Sequence, residues 1–339
     1  MRERIVFLDI IRVVACCMIV FMHSPHPDAG ISGLILSPLS FLTASGIGLF
    51  FMVSGSLLLP IKTGTVVFLK RRIGKIVGPL LFWTCFYIVV QLLNDDIAVR
   101  DIPQVLFSIP FSAQGHGVLW FMYTLTGLYL LAPILSPFLE KASKRELEFY
   151  LALWGMTLCF PLLSLLIDVN RGATGILYYF TGYAGYFVLG YYLYAYKPRI
   201  NTVALIAMII CPLLFLFVHR YYKLPGDFFD VFYYLSITVV LLCISCFAGV
   251  RRLDELYSLG GGKLLTEFSN GCFGIYLIHI FVMRDVLWHC DFIVHALGGI
   301  GQIIVTWLLT LIISFLLIYL ISYLPIADYI IGYKHKKGK

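Results

Sequence analysis

Apolar runs close to twenty residues long recur from one end of this chain to the other, separated by short segments that hold most of its charge. Coiled as an α-helix rising 1.5 Å per residue, a run of that length spans the ~30 Å hydrocarbon core of a bilayer. A backbone in lipid must satisfy its own hydrogen bonds, so repeated runs of this kind leave a helical bundle as the fold. Ten are read, over about residues 5–23, 38–60, 76–93, 118–139, 148–167, 176–196, 200–219, 228–249, 270–288 and 301–324. Composition closes off the soluble alternative: 13% charged residues against 60% apolar cannot cover the surface of a 339-residue globular protein. The expectation is an all-α, polytopic integral membrane bundle. It forms a single domain over 1–339, with its core over about 5–325 and a basic tail over 326–339. Asp9 and Arg12 interrupt the first run and no small-x-small pattern follows it, so it reads as an anchor rather than a cleaved leader.

Charge bias sets the expected orientation. With the N-terminus in the cytosol and the spans alternating, nineteen Lys and Arg fall on the inner side and five on the outer: Arg100, Arg171, Arg220, Lys223 and Arg284. That asymmetry follows the positive-inside rule and puts both termini in the cytosol. It also accounts for the net charge of +7 without nucleic acid, because the basic residues sit in clusters between spans. Eight of the nine cysteines lie in or beside apolar runs, without the paired spacing of a metal site or disulfide framework, and read as packing residues. No metal is expected.

Ionisable side chains inside a bilayer are costly and mark candidate functional positions. The first span holds Asp9 and Arg12, spaced i, i+3 and able to pair. It ends at His23, eleven residues beyond Arg12. Eleven steps of 100° come to about 20° past three turns, so Arg12 and His23 share a face some ~16 Å apart. Asp9 is ~21 Å from His23 along the helix and cannot orient it. A partner or oxyanion group for His23 must come from another span, and His116, Trp120, Tyr123 and Arg284 are the candidates near the outer side. His26, flanked by Pro25 and Pro27, reads as loop.

Leu8-Asp9-x-x-Arg12, ten residues and then His23 resembles the first-helix signature of the membrane-bound acyltransferase-3 family. Phe50-Phe51-Met52-Val53-Ser54-Gly55 is similar to that family's second-helix segment, and Phe68-Leu69-Lys70-Arg71-Arg72 through Pro79 to its basic inner loop. Leu119-Trp120-Phe121 resembles a helix of its smaller bacterial O-acetyltransferases. Phe273-Gly274-Ile275-Tyr276-Leu277-Ile278-His279 resembles its late "Y-L-I-H" segment. The resemblance covers roughly 5–325. Two departures stand out: Lys75 and Val77-Gly78 precede Pro79 where Arg and Ile-x-Pro are usual, and the hydrolase-like domain fused to some long members is absent from this sequence.

The resemblance implies transfer of an acyl group, acetyl above all, from cytosolic acyl-CoA to a hydroxyl of an extracytoplasmic carbohydrate or lipid-linked glycan. The expected setting is a bacterial inner membrane. Acetyl-CoA enters as co-substrate, and no permanently bound cofactor is implied. Lys70, Arg71, Arg72 and Lys75 would hold the CoA phosphates, a role suited to arginine forks, and the acyl-pantetheine arm would rise past Arg12. His23 would act as general base, and Arg12 and Asp9 of the same first-helix signature are counted with it as catalytic residues. Ser54 is either a nucleophile or a packing residue. Tyr276 and His279, three apart at mid-membrane depth on this reading, either line the acyl tunnel or form a hydrogen-bonded structural pair. A transporter or flippase is the rival, weakened by the lack of an internal repeat, and a non-catalytic membrane partner is a third class.

Overall fold

The computed structural model describes residues 4–24, 40–111, 117–224, 232–290, 293 and 299–335. Among these residues there is no strand, and ten helices of at least thirteen residues fall one on each apolar run. They are α1 (Val6–His23), α2 (Ser45–Leu58), α3 (Thr65–Leu93), α4 (Trp120–Lys141), α5 (Lys144–Leu158), α6 (Ala184–Tyr196), α7 (Thr202–Tyr221), α8 (Ile237–Tyr257), α9 (Lys263–Ile280) and α10 (Gly299–Ile321). Eight of the ten runs give helices long and apolar enough to cross a membrane. The other two fall short for different reasons. α6 has 13 residues, about 20 Å at 1.5 Å per residue. α8 carries Arg251, Arg252, Asp254 and Glu255 in its last two turns.

Consecutive long helices run in opposite directions, and their ends gather at two faces. One is the basic face, where the start of α1 meets the end of α2, the start of α3, the end of α6 and the start of α9. There Ser136 of α4 accepts a hydrogen bond from the Ile61 amide at 2.9 Å. Arg251 of α8 donates to the carbonyls of Leu193 in α6 and Pro198 just beyond it, at 2.7 and 3.2 Å. The opposite face, called here the His23 face, holds the end of α1, the starts of α4 and α6, and the end of α9.

α2 is the central helix, with 83% of the Ser40–Leu58 stretch buried. Its tight neighbours are α1 and α6. At the α2–α6 crossing the backbones touch: a Cβ added to Gly55 would lie 1.8 Å from the Phe187 carbonyl oxygen, and one added to Gly190 would lie 2.0 Å from that of Met52. Ser56 completes the crossing, its Oγ 2.8 Å from the carbonyls of both Met52 and Gly190. Between membrane helices, where lipid competes with every apolar contact, such close approach through small residues is a main source of association.

Two expectations change. The basic stretch read as an inner loop over 68–79 is helical: α3 runs unbroken from Thr65, and Pro79 sits inside it. Residues read as the start of a tail also fold back. Ala327–Ile331 is a short helix on α3, with Ala327, Ile330 and Ile331 buried and the Trp83 indole donating to the Ile330 carbonyl at 2.8 Å. Lys336, Lys337 and Lys339 lie outside the described residues.

Candidate functional site

α1 is an uninterrupted helix, free of Gly and Pro, and it places Arg12 toward the basic face and His23 at its last position. Asp9 is buried, and its carboxylate is fully used. Oδ1 accepts from Ser269 Oγ at 2.7 Å and from Arg12 at 3.3 Å, while Oδ2 accepts from Arg4 Nε. Arg4 also donates to the Thr266 carbonyl and to Asn270 Oδ1, at 3.1 and 3.3 Å. The expected two-residue pair is therefore part of a six-residue network tying α1 to the polar first half of α9.

Beside this network, at the basic face, opens a cavity of about 950 Å³. Its wall includes Arg4, Arg12, Lys62, Arg71 and Arg72, with Asp9 the one carboxylate among the lining residues. Five cations facing one anion around a solvent-connected space favour a polyanionic ligand, and arginine forks match phosphate oxygens two at a time. Ser56, Tyr191, Tyr194 and Asn270 add hydrogen-bonding groups to the same wall. Of the four residues expected to grip CoA, the structure brings Arg71 and Arg72 to this cavity, whereas Lys70 and Lys75 are not among its lining residues. Ser54 is likewise off the wall, beside Tyr129 of α4, and Ser56 takes the place on it.

At the other end of α1, His23 meets a partner that the sequence reading had placed elsewhere. His279 of α9 brings Nε2 to within 3.3 Å of His23 Nδ1, with the two ring centroids 5.0 Å apart. His279 is fully buried, and its Nδ1 lies 2.6 Å from the Tyr276 carbonyl. Tyr276 is also buried; its hydroxyl donates to the Val118 carbonyl at the head of α4, and its ring packs on Phe121 at 5.1 Å. Tyr276 and His279 are thus packed and hydrogen-bonded to backbone carbonyls, outside the linings of the two cavities described here, and one member of the pair touches His23.

A second cavity, of about 500 Å³, opens at the His23 face. Trp120, Tyr183, Tyr233 and Tyr234 form its aromatic side, with Trp120 stacked on Tyr234 at 5.4 Å, and Arg171 is its one charged lining residue. The cavity adjoins the end of α1 through Tyr234, whose hydroxyl sits 3.7 Å from the sulfur of Met22, the residue before His23. Tyr123 is turned away, its hydroxyl donating to the Ile109 carbonyl at 2.7 Å. Arg284 lies on a π-helical turn, Phe281–Val286, that follows α9 directly, and its guanidinium rests 5.7 Å from the Trp288 ring. Such turns are rare and frequently found at functional sites. His116 and His26 lie outside the described residues. Among the described residues no three His, Cys, Asp or Glu side chains cluster as metal ligands would.

The sequence reading missed Arg4 and Lys62 as cavity residues, counting both only toward membrane orientation. The signal for Arg4 was its place five residues before a buried Asp. Lys62 is the first charged residue after the Ser54-Gly55 segment, seven positions beyond Gly55, and that place was its signal.

Basic cavity, paired histidines and aromatic cavity thus lie along one bundle. A family model described as "Acyltransferase domain" matches residues 5–325. No curated protein and no solved structure is matched significantly. With nearly the whole chain covered, this protein belongs to the acyltransferase-3 family of membrane acyltransferases.

Proposed function

We propose that this protein is an O-acyltransferase that takes an acyl group, acetyl in the first instance, from cytosolic acyl-CoA and delivers it to a hydroxyl of an extracytoplasmic carbohydrate or lipid-linked glycan. The observation that carries the reading is the cationic cavity at one end of α1, with His23 at the other end. A CoA donor presents several phosphates and a long thioester arm. Arg4, Arg12, Lys62, Arg71 and Arg72 supply the countercharge, and 950 Å³ is within the range of ~300–1,000 Å³ that holds cofactor-sized ligands. The arm then rises along α1 toward His23. On this reading the basic face is cytosolic, as the positive-inside rule requires, and the membrane is a bacterial inner membrane.

The acceptor hydroxyl gives its proton to the free ring nitrogen of His23, and the resulting oxygen nucleophile attacks the thioester carbonyl. The C–S bond breaks, and the departing CoA thiolate takes a proton from the imidazolium, which restores neutral His23. The aromatic cavity with Trp120, Tyr183 and Tyr234 holds the acceptor: flat rings suit the apolar faces of a sugar, and the phenol hydroxyls and Arg171 suit its oxygens.

The test uses protein in lipid nanodiscs, [14C]acetyl-CoA and a surface-glycan extract. Each charge-assisted hydrogen bond contributes roughly 1.5–3 kcal/mol. Arg71→Ala/Arg72→Ala should therefore weaken acetyl-CoA binding by about a hundredfold or more. His23→Ala should bind acetyl-CoA normally but release no CoA. A well-folded sample that binds neither acetyl-CoA nor a longer acyl-CoA would refute the proposal.

A further inference from the structure

The paired rings of His23 and His279 constrain where their protons can be. A backbone carbonyl only accepts hydrogen bonds. His279 Nδ1, 2.6 Å from the Tyr276 carbonyl, therefore carries hydrogen, which in a neutral ring leaves Nε2 as a bare acceptor. His23 Nδ1 faces two acceptors, the Ile19 carbonyl at 2.9 Å and that Nε2 at 3.3 Å, so it too carries hydrogen. With both rings neutral, this is the one assignment that satisfies all three contacts. It leaves His23 Nε2 unprotonated.

We propose that His279 is a positioning residue that holds His23 as its Nδ1–H tautomer, so that Nε2 is the nitrogen that takes the acceptor's proton. The inference rests on His23 being the base. A histidine without such partners favours the opposite tautomer, with hydrogen on Nε2 and no lone pair where the hydroxyl must be deprotonated. The Ile19 contact alone is a helix's own i−4 carbonyl, which any rotation of the ring about its side-chain bonds releases. His279 supplies a second acceptor from another helix, and it is itself fixed: buried, bonded to the Tyr276 carbonyl, with Tyr276 anchored on Val118. When His23 has taken the substrate proton, the same lone pair of His279 faces the Nδ1–H of an imidazolium and steadies the charge. The role resembles that of any group that fixes a catalytic ring's tautomer, here filled by a neutral ring within the membrane.

The first experiment needs no acceptor. Protein labelled with 15N- and 13C-histidine, in nanodiscs, gives ring nitrogen signals that separate the two tautomers, and His23→Gln identifies which signals belong to His23. The wild type should show His23 with hydrogen on Nδ1. His279→Phe, which keeps an aromatic ring but offers no lone pair, should move His23 toward the Nε2–H form, and His279→Gln, whose amide oxygen can accept, should restore it. In the transfer assay the Phe variant should lose about tenfold or more in kcat, within the general-base contribution of ~10²–10⁴. KM for acetyl-CoA should stay within about twofold, and the Gln variant should recover most of the loss. A wild-type His23 carrying hydrogen on Nε2 would overturn the proposal, as would a His279→Phe spectrum in which His23 is unchanged. Should the tautomers behave as stated while His23→Ala still transfers acetyl, the base assignment fails and the positioning geometry stands.

Discussion

The close crossing of α2 and α6 gives the sharpest expectation. Gly55→Ala puts a methyl carbon 1.8 Å from the Phe187 carbonyl oxygen. Carbon and oxygen need more than 3 Å, and both the new Cβ and the carbonyl belong to backbone-fixed positions, so no side-chain rotation relieves the clash. α2 and α6 have to part by more than 1 Å at their crossing, which also strains the Ser56 hydroxyl's place between Met52 and Gly190. Overpacking a well-packed interior costs about 1–3 kcal/mol, and a clash against backbone belongs at the upper end. Replacing Gly by Ala in a helix returns up to ~1 kcal/mol. The net loss is about 2 kcal/mol. Gly127→Ala in α4 is the control: nothing lies within 4 Å of its added Cβ, so it should be neutral or slightly stabilising. Thermal unfolding in one detergent, followed by tryptophan fluorescence, should place Gly55→Ala several degrees below the wild type and Gly127→Ala at or above it. The ends of α2 and α6 both wall the basic cavity, so Gly55→Ala should also raise the Kd for acetyl-CoA. If Gly55→Ala melts with the wild type and Gly127→Ala does not, the close-approach argument is wrong.

Three further outcomes follow from the same contacts. Asp9→Asn removes the one carboxylate from the basic cavity and leaves Arg4 and Arg12 without their counter-ion. Because the two arginines remain partly solvated (30–40% exposed), we expect a stability loss of about 1–2 kcal/mol rather than the full cost of a buried unpaired charge; acetyl-CoA affinity, measured by filter binding, should be kept or raised. Tyr276→Phe strips the Val118 carbonyl of its donor at the head of α4, which should cost about 1–3 kcal/mol in the same melting assay. Trp120→Ala removes the stacked floor of the aromatic cavity and should raise KM for the glycan acceptor by about tenfold while acetyl-CoA binding is unchanged.

The ten apolar runs each foretell a helix, because an unbroken apolar stretch in lipid has few other conformations. The starts of α3 and α9 are less legible. Lys70 to Lys75 and Lys263 to Asn270 are too polar to read as membrane helix, so the first run seemed to begin at 76 and the second at 270. Part of that polarity serves the Asp9 network and the basic cavity: the Ser269 and Asn270 side chains bond toward α1, and Arg71 and Arg72 line the cavity. The misplaced start has a direct consequence for His279. Counted from 270, it sits at mid-depth; in the structure it is the seventeenth residue of an eighteen-residue helix and stands level with His23, the last residue of α1. The pairing of two rings 256 positions apart depends on that register. Arg71 and Arg72 were legible as cavity cations by type, but their separation from Lys70, on another side of α3, and from Lys75, one turn further along it, depends on helical geometry that a loop reading does not supply.

α1 also limits how this molecule can move. An eighteen-residue helix without Gly or Pro lacks the residues at which helices kink sharply, so we expect the interval of ~16 Å between Arg12 and His23 to hold through a working cycle. α1 is then a fixed rod with a docking group toward one end and a basic ring at the other. On the proposed function, admission of the acyl-CoA, closure around it and escape of the spent thiol then fall to neighbouring helices sliding or tilting against that rod. A label pair on α1 itself should report one distance in every state, while pairs linking α1 to α3 or α4 should report several.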